Sequence, residues 1–270
     1  MPVPLMVADS LVKRFPIRNG PFSRDAITAV SDVSLYVNEG ETLGVVGESG
    51  SGKSTLGRVL VGLLKADQGT VTIGGKDVRE LERRERPQTV QMVFQDPYSS
   101  LNPRMTIEAN IGYPLRIQGS PRREIRERVA DLLVRVGLHP NHGSHYPHQL
   151  SGGQLQRVNI ARALSLSPKL IVCDEAVSAL DKSVQAQILN LLKDLQSELG
   201  LTYVFISHDL NVVEYMSDHV LVMYHGEVVE SVAAEQLYAN PQHEYSRLLL
   251  SSIPSIDPDT RTLAHPRQTG

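Results

Sequence analysis

The sequence predicts an α/β fold assembled on a buried sheet, and three observations carry that prediction. Thr42-Leu43-Gly44-Val45-Val46 is a short apolar run that leads through a Gly-rich loop into a helical pattern. Leu170-Ile171-Val172-Cys173 and Tyr203-Val204-Phe205-Ile206 are apolar without alternation, as expected of strands covered on both faces of a parallel sheet. Between them, Val184, Ile188, Leu191, Leu192, Leu195 and Leu199 mark one face of a helix that ends at Gly200. Strand and helix therefore alternate.

Composition narrows the partners. The chain has 270 residues, 41% hydrophobic and 21% charged, and its 27 basic and 30 acidic residues leave a net charge of −3. No bulk field draws it to nucleic acid or to an anionic membrane. The single cysteine, Cys173, excludes an internal disulfide and an iron–sulfur centre built on a cysteine cluster of this chain. Apolar runs such as Val59 to Leu64 are far shorter than the ~18 residues that cross a bilayer, and no apolar leader follows Met1. Any work at a membrane is expected to rely on other chains.

Residues 3–40 read as β-rich, with Val33, Leu35 and Val37 at period two. Phe15 lies in this part with two readings open: a ring on which a base stacks, or a core residue beside a turn. Next comes Gly47-Glu48-Ser49-Gly50-Ser51-Gly52-Lys53-Ser54-Thr55, which fits the phosphate-binding pattern G-x-x-x-x-G-K-[ST] in its required strand–loop–helix setting. The glycines let successive N–H groups point at one anion at the positive end of the following helix. Lys53 adds a charge near the β/γ-phosphates, and the Ser54 hydroxyl is placed to hold Mg²⁺. Leu56, Val59, Leu60 and Leu63 form the expected inner face of that helix. A nucleoside triphosphate is the ligand this stretch calls for.

Gly69 to Gly75 reads as a strand with a hairpin turn, and Val90 to Phe94 as a strand running into Gln95-Asp96-Pro97. From Thr106 to Val136 the pattern turns helical, with Ile125, Val129, Leu132, Leu133 and Val136 on one face. His139, His142, His145 and His148 follow at intervals of three; Pro140, Gly143 and Pro147 break regular geometry there, so a polar surface loop is expected in preference to a metal site. Ser151-Gly152-Gly153-Gln154 then opens a helix, with Ser151 as its cap and two glycines exposing its first N–H groups, a second anion site. Asp174 and Glu175 end a buried strand, where such a carboxylate holds Mg²⁺ and its neighbour can take a proton from water. Asp181 precedes the next helix. His208, at another strand end, is either a satisfied core histidine or a donor to a γ-phosphate. A hairpin over Val220 to Val229, a short helical stretch and a Pro- and Asp-bearing tail from Pro254 complete the chain.

In this order, Gly47 to Ser54, Gln95, Leu150 to Arg157, Asp174-Glu175, Ser178 to Asp181 and His208 resemble the ATP-binding cassette ATPases over about residues 5–230. In that family the segments are the Walker A loop, Q-loop, signature motif, Walker B with its glutamate, D-loop and switch histidine. More narrowly, Phe94 to Pro103, Ser183 to Gln187, the insertion Ile17 to Ile27 and Pro241 to Ser246 are similar to the ATPase subunits of dipeptide, oligopeptide and nickel importers. Two features depart from the pattern: Ala176 stands where proline is usual, and the C-terminal cysteine cluster of some relatives is absent.

The resemblance implies a nucleotide-binding core over 1–95 and 158–230 with an antiparallel β subdomain, a helical subdomain over 96–157 carrying the signature, and a C-terminal extension over 231–270. It implies ATP and Mg²⁺ as cofactors, with Phe15 and residues 47–55 on the nucleotide, and Ser54, Gln95 and Asp174 on the metal. Glu175, His208 and Gln95 are the implied catalytic set, Ser151 to Gln154 face the ATP of a second cassette, and Asp181 lies at the interface. The implied partners are a second ATPase subunit, identical or related, two permease chains and an extracytoplasmic solute-binding protein, at the cytoplasmic face of the membrane. The rival is a cassette subunit of a soluble enzyme complex that transports nothing.

Overall fold

The computed structural model describes residues 4–16 and 26–252. Most of the insertion Ile17 to Ile27 and the tail from Pro254 lie outside the described residues. Among the described residues, ten strands form two sheets: β1 (Pro4–Pro16), β2 (Ala26–Asn38), β3 (Thr42–Val46), β4 (Gln68–Ile73), β5 (Lys76–Asp77), β6 (Val90–Val93), β7 (Leu170–Asp174), β8 (Thr202–Ile206), β9 (His219–Tyr224) and β10 (Glu227–Ala233). The antiparallel sheet has the order β2-β1-β4-β5, and the larger sheet the order β10-β9-β3-β8-β7-β6. In the larger sheet only the β9–β10 hairpin pairs antiparallel.

The unbroken apolar runs are explained by two cores, one on each face of this sheet. Ile171, Cys173, Tyr203 and Phe205 point into one, while Leu170, Val172, Val204 and Ile206 point into the other. The first core holds the helices Lys182–Leu199 and Leu210–Met216 and the buried face of the helical subdomain. The second is closed by the antiparallel sheet and the helix Lys53–Leu60. Period-two side chains alternate between these cores, so no position of the central strands β3, β7 and β8 faces water.

Two sequence expectations need correction. The helix after the phosphate loop ends at Leu60, because Gly62 turns left-handed at φ +72°, and Leu63 is 60% exposed instead of facing inward. The helical stretch from Thr106 is broken into Ile107–Ile111, Tyr113–Gln118 and Arg122–Arg135, with Gly119 in a left-handed cap and Pro121 before the last. The helix Gly152–Leu164 runs across position 157, and its Leu155, Val158, Ala161 and Leu164 share one core with Val129 and Leu132 on one side and Ile171 on the other.

After β10 come two short helices, Ala234–Ala239 and Glu244–Ser251. Glu230, buried in β10, accepts the N–H groups of Gln242 at 2.9 Å and His243 at 3.0 Å. Burial alone would push its carboxyl up, but these hydrogen bonds outweigh it and hold Glu230 below the ordinary carboxylate range. A depressed folded value means stability that is present above the unfolded pKa and lost as pH falls through the folded one. The gap in Tm between the parent chain and Glu230→Gln is therefore expected to be open at neutral pH and to close on acidification. Thermal denaturation across that range checks this; a gap that widens toward acid contradicts it.

Candidate functional site

Parallel register brings four strand ends to one edge of the sheet. Val45 pairs with Ile206, Asp174 also pairs with Ile206, and Val93 pairs with Cys173, so the segments after β3, β6, β7 and β8 emerge together. The carboxyl edge of an open parallel sheet is where such folds bind ligands.

The Gly47–Thr55 loop leaves β3 and enters the helix Lys53–Leu60 with Gly52 at φ +102° as its cap. Two of its glycines are required by close approach. A Cβ on Gly47 (φ +150°) would lie 2.1 Å from the Met223 carbonyl oxygen, and one on Gly52 would lie 2.0 Å from that of Ala29. The Lys53 ammonium is buried and donates to the carbonyls of Gly47 and Glu48, each at 2.7 Å. Gly226, at the tip of the β9–β10 hairpin, donates its N–H to Ser51 O at 3.0 Å. Glu48, Ser49 and Gly50 stay exposed, so the rim of the loop faces solvent.

Ser54 Oγ donates to Asp174 Oδ1 at 2.7 Å. Burial pushes the Asp174 carboxyl up, with the Ser54 bond opposing, and burial pulls the Lys53 ammonium down against the attraction of Glu175 and Asp174. Both groups are desolvated, and an anion at Lys53 with a cation at Asp174 would favour the charged form of each.

Glu175, the next residue, takes a left-handed backbone at φ +49° and donates its N–H to Ile206 O at 2.9 Å. That conformation costs a non-glycine residue ~1–2 kcal/mol, and it turns the carboxylate across the strand tips. Gln95 Nε2 donates to Glu175 Oε2 at 3.0 Å, and His208 Nδ1 lies 3.3 Å from Glu175 Oε1. Residues from the ends of β6, β7 and β8 thus meet on one carboxylate. The reading of His208 as a core residue does not survive its 57% side-chain exposure.

Phe15 lies at the end of β1, paired with Ile27 of β2, two residues from the Ala29 carbonyl that touches Gly52. Phe15 is 39% exposed, with Lys13 Nζ 5.6 Å from the ring centroid. Ser151 caps the helix Gly152–Leu164 as expected: its Oγ accepts the Gln154 N–H, and Gln154 Oε1 accepts the Ser151 N–H at 2.9 Å. Among the described residues, no hydrogen bond or ion pair joins Ser151–Gln154 to residues 47–55. Asp181, exposed, caps the helix Lys182–Leu199 through the Val184 N–H at 3.0 Å, which with Ser183 holds its carboxyl below the usual range.

Of the four histidines, His139 caps a short helical turn through the Asn141 N–H, and no metal-holding group of His, Cys, Asp or Glu is found among the described residues. Cys173 is fully buried with its thiol pushed up to about 12, as befits a small core residue. The contacts that sequence reasoning missed come from far along the chain: Gly226 on Ser51, and the Tyr245 hydroxyl on the Glu48 N–H at 3.0 Å.

Comparison with known proteins now adds identity to geometry. The family model described as ABC transporter matches residues 30–178, more than half of the chain. The chain belongs to the ABC transporter family. A second family model, the oligopeptide/dipeptide transporter C-terminal region, matches residues 229–270. Among curated relatives, the oligopeptide transport ATP-binding protein AppF of Bacillus subtilis is 51% identical over 90% of this chain and 76% of its own length. OppF of Escherichia coli is 54% identical over 86% and 71%. Among solved structures, the dimeric post-hydrolysis cassette MJ0796 bound to ADP and Pi is 32% identical, with a TM-score of 0.75 over 85% of this chain and 98% of that one. The α/β cassette fold is therefore the expected one, and this ABC chain is an ATP-binding, ATP-hydrolysing member of its family.

Proposed function

We propose that this ABC ATPase powers import of peptides or similar small solutes through separate permease subunits, at the cytoplasmic face of the membrane. The observation that carries the reading is the convergence at one sheet edge of the phosphate loop, Asp174, Glu175, Gln95 and His208, while the second anion site at Ser151 stands apart. The peptide class rests on the named relatives and on the matched C-terminal region. No helix among the described residues is long and apolar enough to cross a membrane, which fits a peripheral subunit.

In this reading the loop N–H groups and Lys53 bind the phosphates, and the ring of Phe15 stacks on the base. Mg²⁺ fits the site, because a hydroxyl and a desolvated carboxylate, hard oxygen donors, already lie 2.7 Å apart at Ser54 and Asp174, with the Gln95 amide beside Glu175. When bound, the metal neutralises charge on the β- and γ-phosphates. Glu175 takes the proton of the attacking water, Gln95 orients that carboxylate, and His208 faces the γ-phosphate. Ser151 to Gln154 cover the ATP of a second cassette, identical or related, with Asp181 near the shared interface. A solute-binding protein outside the membrane completes the system.

Permease contact is assigned to the surface beside Gln95. A groove of about 320 Å³ opens there, lined in part by Leu63, Phe94, Tyr113 and Arg162. Tyr98 is 57% exposed on the adjoining turn, although Leu101 in the same stretch is buried. Apolar side chains in solvent at a polar-rimmed groove mark an interaction surface, and Gln95 links it to the carboxylate at the site. Tyr98→Cys or Asn102→Cys is expected to crosslink to cysteines in co-expressed permeases. Tyr98→Ala is expected to lower transport while ATP affinity is kept. The native thiol is silent in this assay, since Cys173 is buried. A chain that stays soluble beside its permeases and forms no crosslink overturns the transport assignment.

A further inference from the structure

The C-terminal extension touches the phosphate loop at one point. Tyr245 is buried against Tyr224, ring centroids 4.2 Å apart at 36°, and its hydroxyl accepts the Glu48 N–H at 3.0 Å. The helix that carries it is set in place by the Glu230 carboxylate on the N–H groups of Gln242 and His243, and by His243 Nδ1 on the Tyr245 N–H at 3.1 Å. The phenol position is thus fixed by the C-terminal helix and by the β9–β10 hairpin, whose tip makes a separate bond to the loop through the Gly226 N–H on Ser51 O at 3.0 Å.

What Tyr245 holds is the peptide unit between Gly47 and Glu48. The carbonyl of that unit, on Gly47, accepts from Lys53 Nζ at 2.7 Å. A peptide is planar, with C=O and N–H pointing to opposite sides. Pinning the N–H from one side therefore aims the carbonyl at Lys53 on the other. Gly47 at φ +150° offers little steric resistance to rotation of this plane, so an external hydrogen bond is what sets its angle.

We infer that Tyr245 is a positioning residue of the ATP site: its hydroxyl locks the first peptide of the phosphate loop and, through it, the Lys53 ammonium. This rests on residues 47–55 being the phosphate cradle. Tyr245→Phe keeps the ring and its packing and deletes only the acceptor. Equilibrium binding of ATP and of ADP to the purified full-length chain is expected to weaken about three- to tenfold, the worth of one such hydrogen bond. Hydrogen exchange of the 47–52 segment should speed up, with Tm near that of the parent. Tyr238→Phe, which removes a phenol bonded to Leu210 O, is the control and should leave both affinities unchanged. Unchanged affinity and exchange in Tyr245→Phe, with Lys53→Ala binding poorly, overturn the inference alone. Unchanged affinity in Lys53→Ala as well brings down the cradle assignment on which it rests. A loss that follows a fall in Tm and appears equally in Tyr238→Phe also overturns it, because that pattern reports general loosening.

Discussion

Glu175→Gln is expected to cut ATP turnover by about 10²- to 10⁴-fold, the usual worth of a general base, while ATP binding persists. The substitution keeps size and hydrogen-bonding capacity, so the N–H bond from Glu175 to Ile206 and the left-handed turn are undisturbed. It removes the charge that Gln95 and His208 share and the basic oxygen that receives the proton. The nucleotide is proposed to be held elsewhere, by Lys53 and the loop, so its affinity should change little. Steady-state hydrolysis and equilibrium binding on the assembled complex separate the two effects. Hydrolysis within a few-fold of the parent would remove Glu175 from the chemistry.

A second large effect is expected in mixed dimers. Lys53→Ala disables the phosphate loop of its own chain, and Gly152→Asp places a carboxylate at the helix end that is proposed to face the partner's ATP. Each variant alone leaves every composite site with one defective half and should be inactive. Mixed in equal amounts, one site in each hybrid dimer has two intact halves, and roughly a quarter of parental turnover should return. Gly152 suits this test because a Cβ there meets only Leu180 Cδ2 at 3.7 Å, whereas one on Gly153 would press to 2.5 Å from Val184 Cγ1 and confuse packing with charge. Hybrid dimers of proven composition that recover nothing would argue against a site shared between chains.

Much of this site was legible because its residues end runs of unmistakable pattern. A strand buried on both faces reads as uninterrupted Leu, Ile and Val, and the first polar residues after it, Asp174-Glu175 or Ser207-His208, must sit at the sheet's edge. Local rules also suffice for Ser151, since a cap acts within three residues. What stayed hidden depended on distance or on termination. Leu63 keeps the helical period, but the backbone has already left the helix at Gly62, and period alone does not report that. Motif order also does not reveal that the helix Gly152–Leu164 shares one core with Val129 and with Ile171. Tyr245 meets Glu48 across 197 residues, and no spacing signal reaches so far.

The pairing order of the large sheet has a consequence for synthesis. β3 carries the phosphate loop near the start of the chain, yet its two neighbours, β8 and β9, begin at Thr202 and His219. At ordinary elongation rates the gap between β3 and β8 takes roughly ten to thirty seconds to translate. Through that interval Val45 and Val46 have no sheet partner, and the loop lacks Gly226 and Tyr245, which fasten it later. The segment proposed to bind nucleotide is thus made well before the residues that fasten it. Those fastenings can form only once translation has run on past Gly226 and Tyr245.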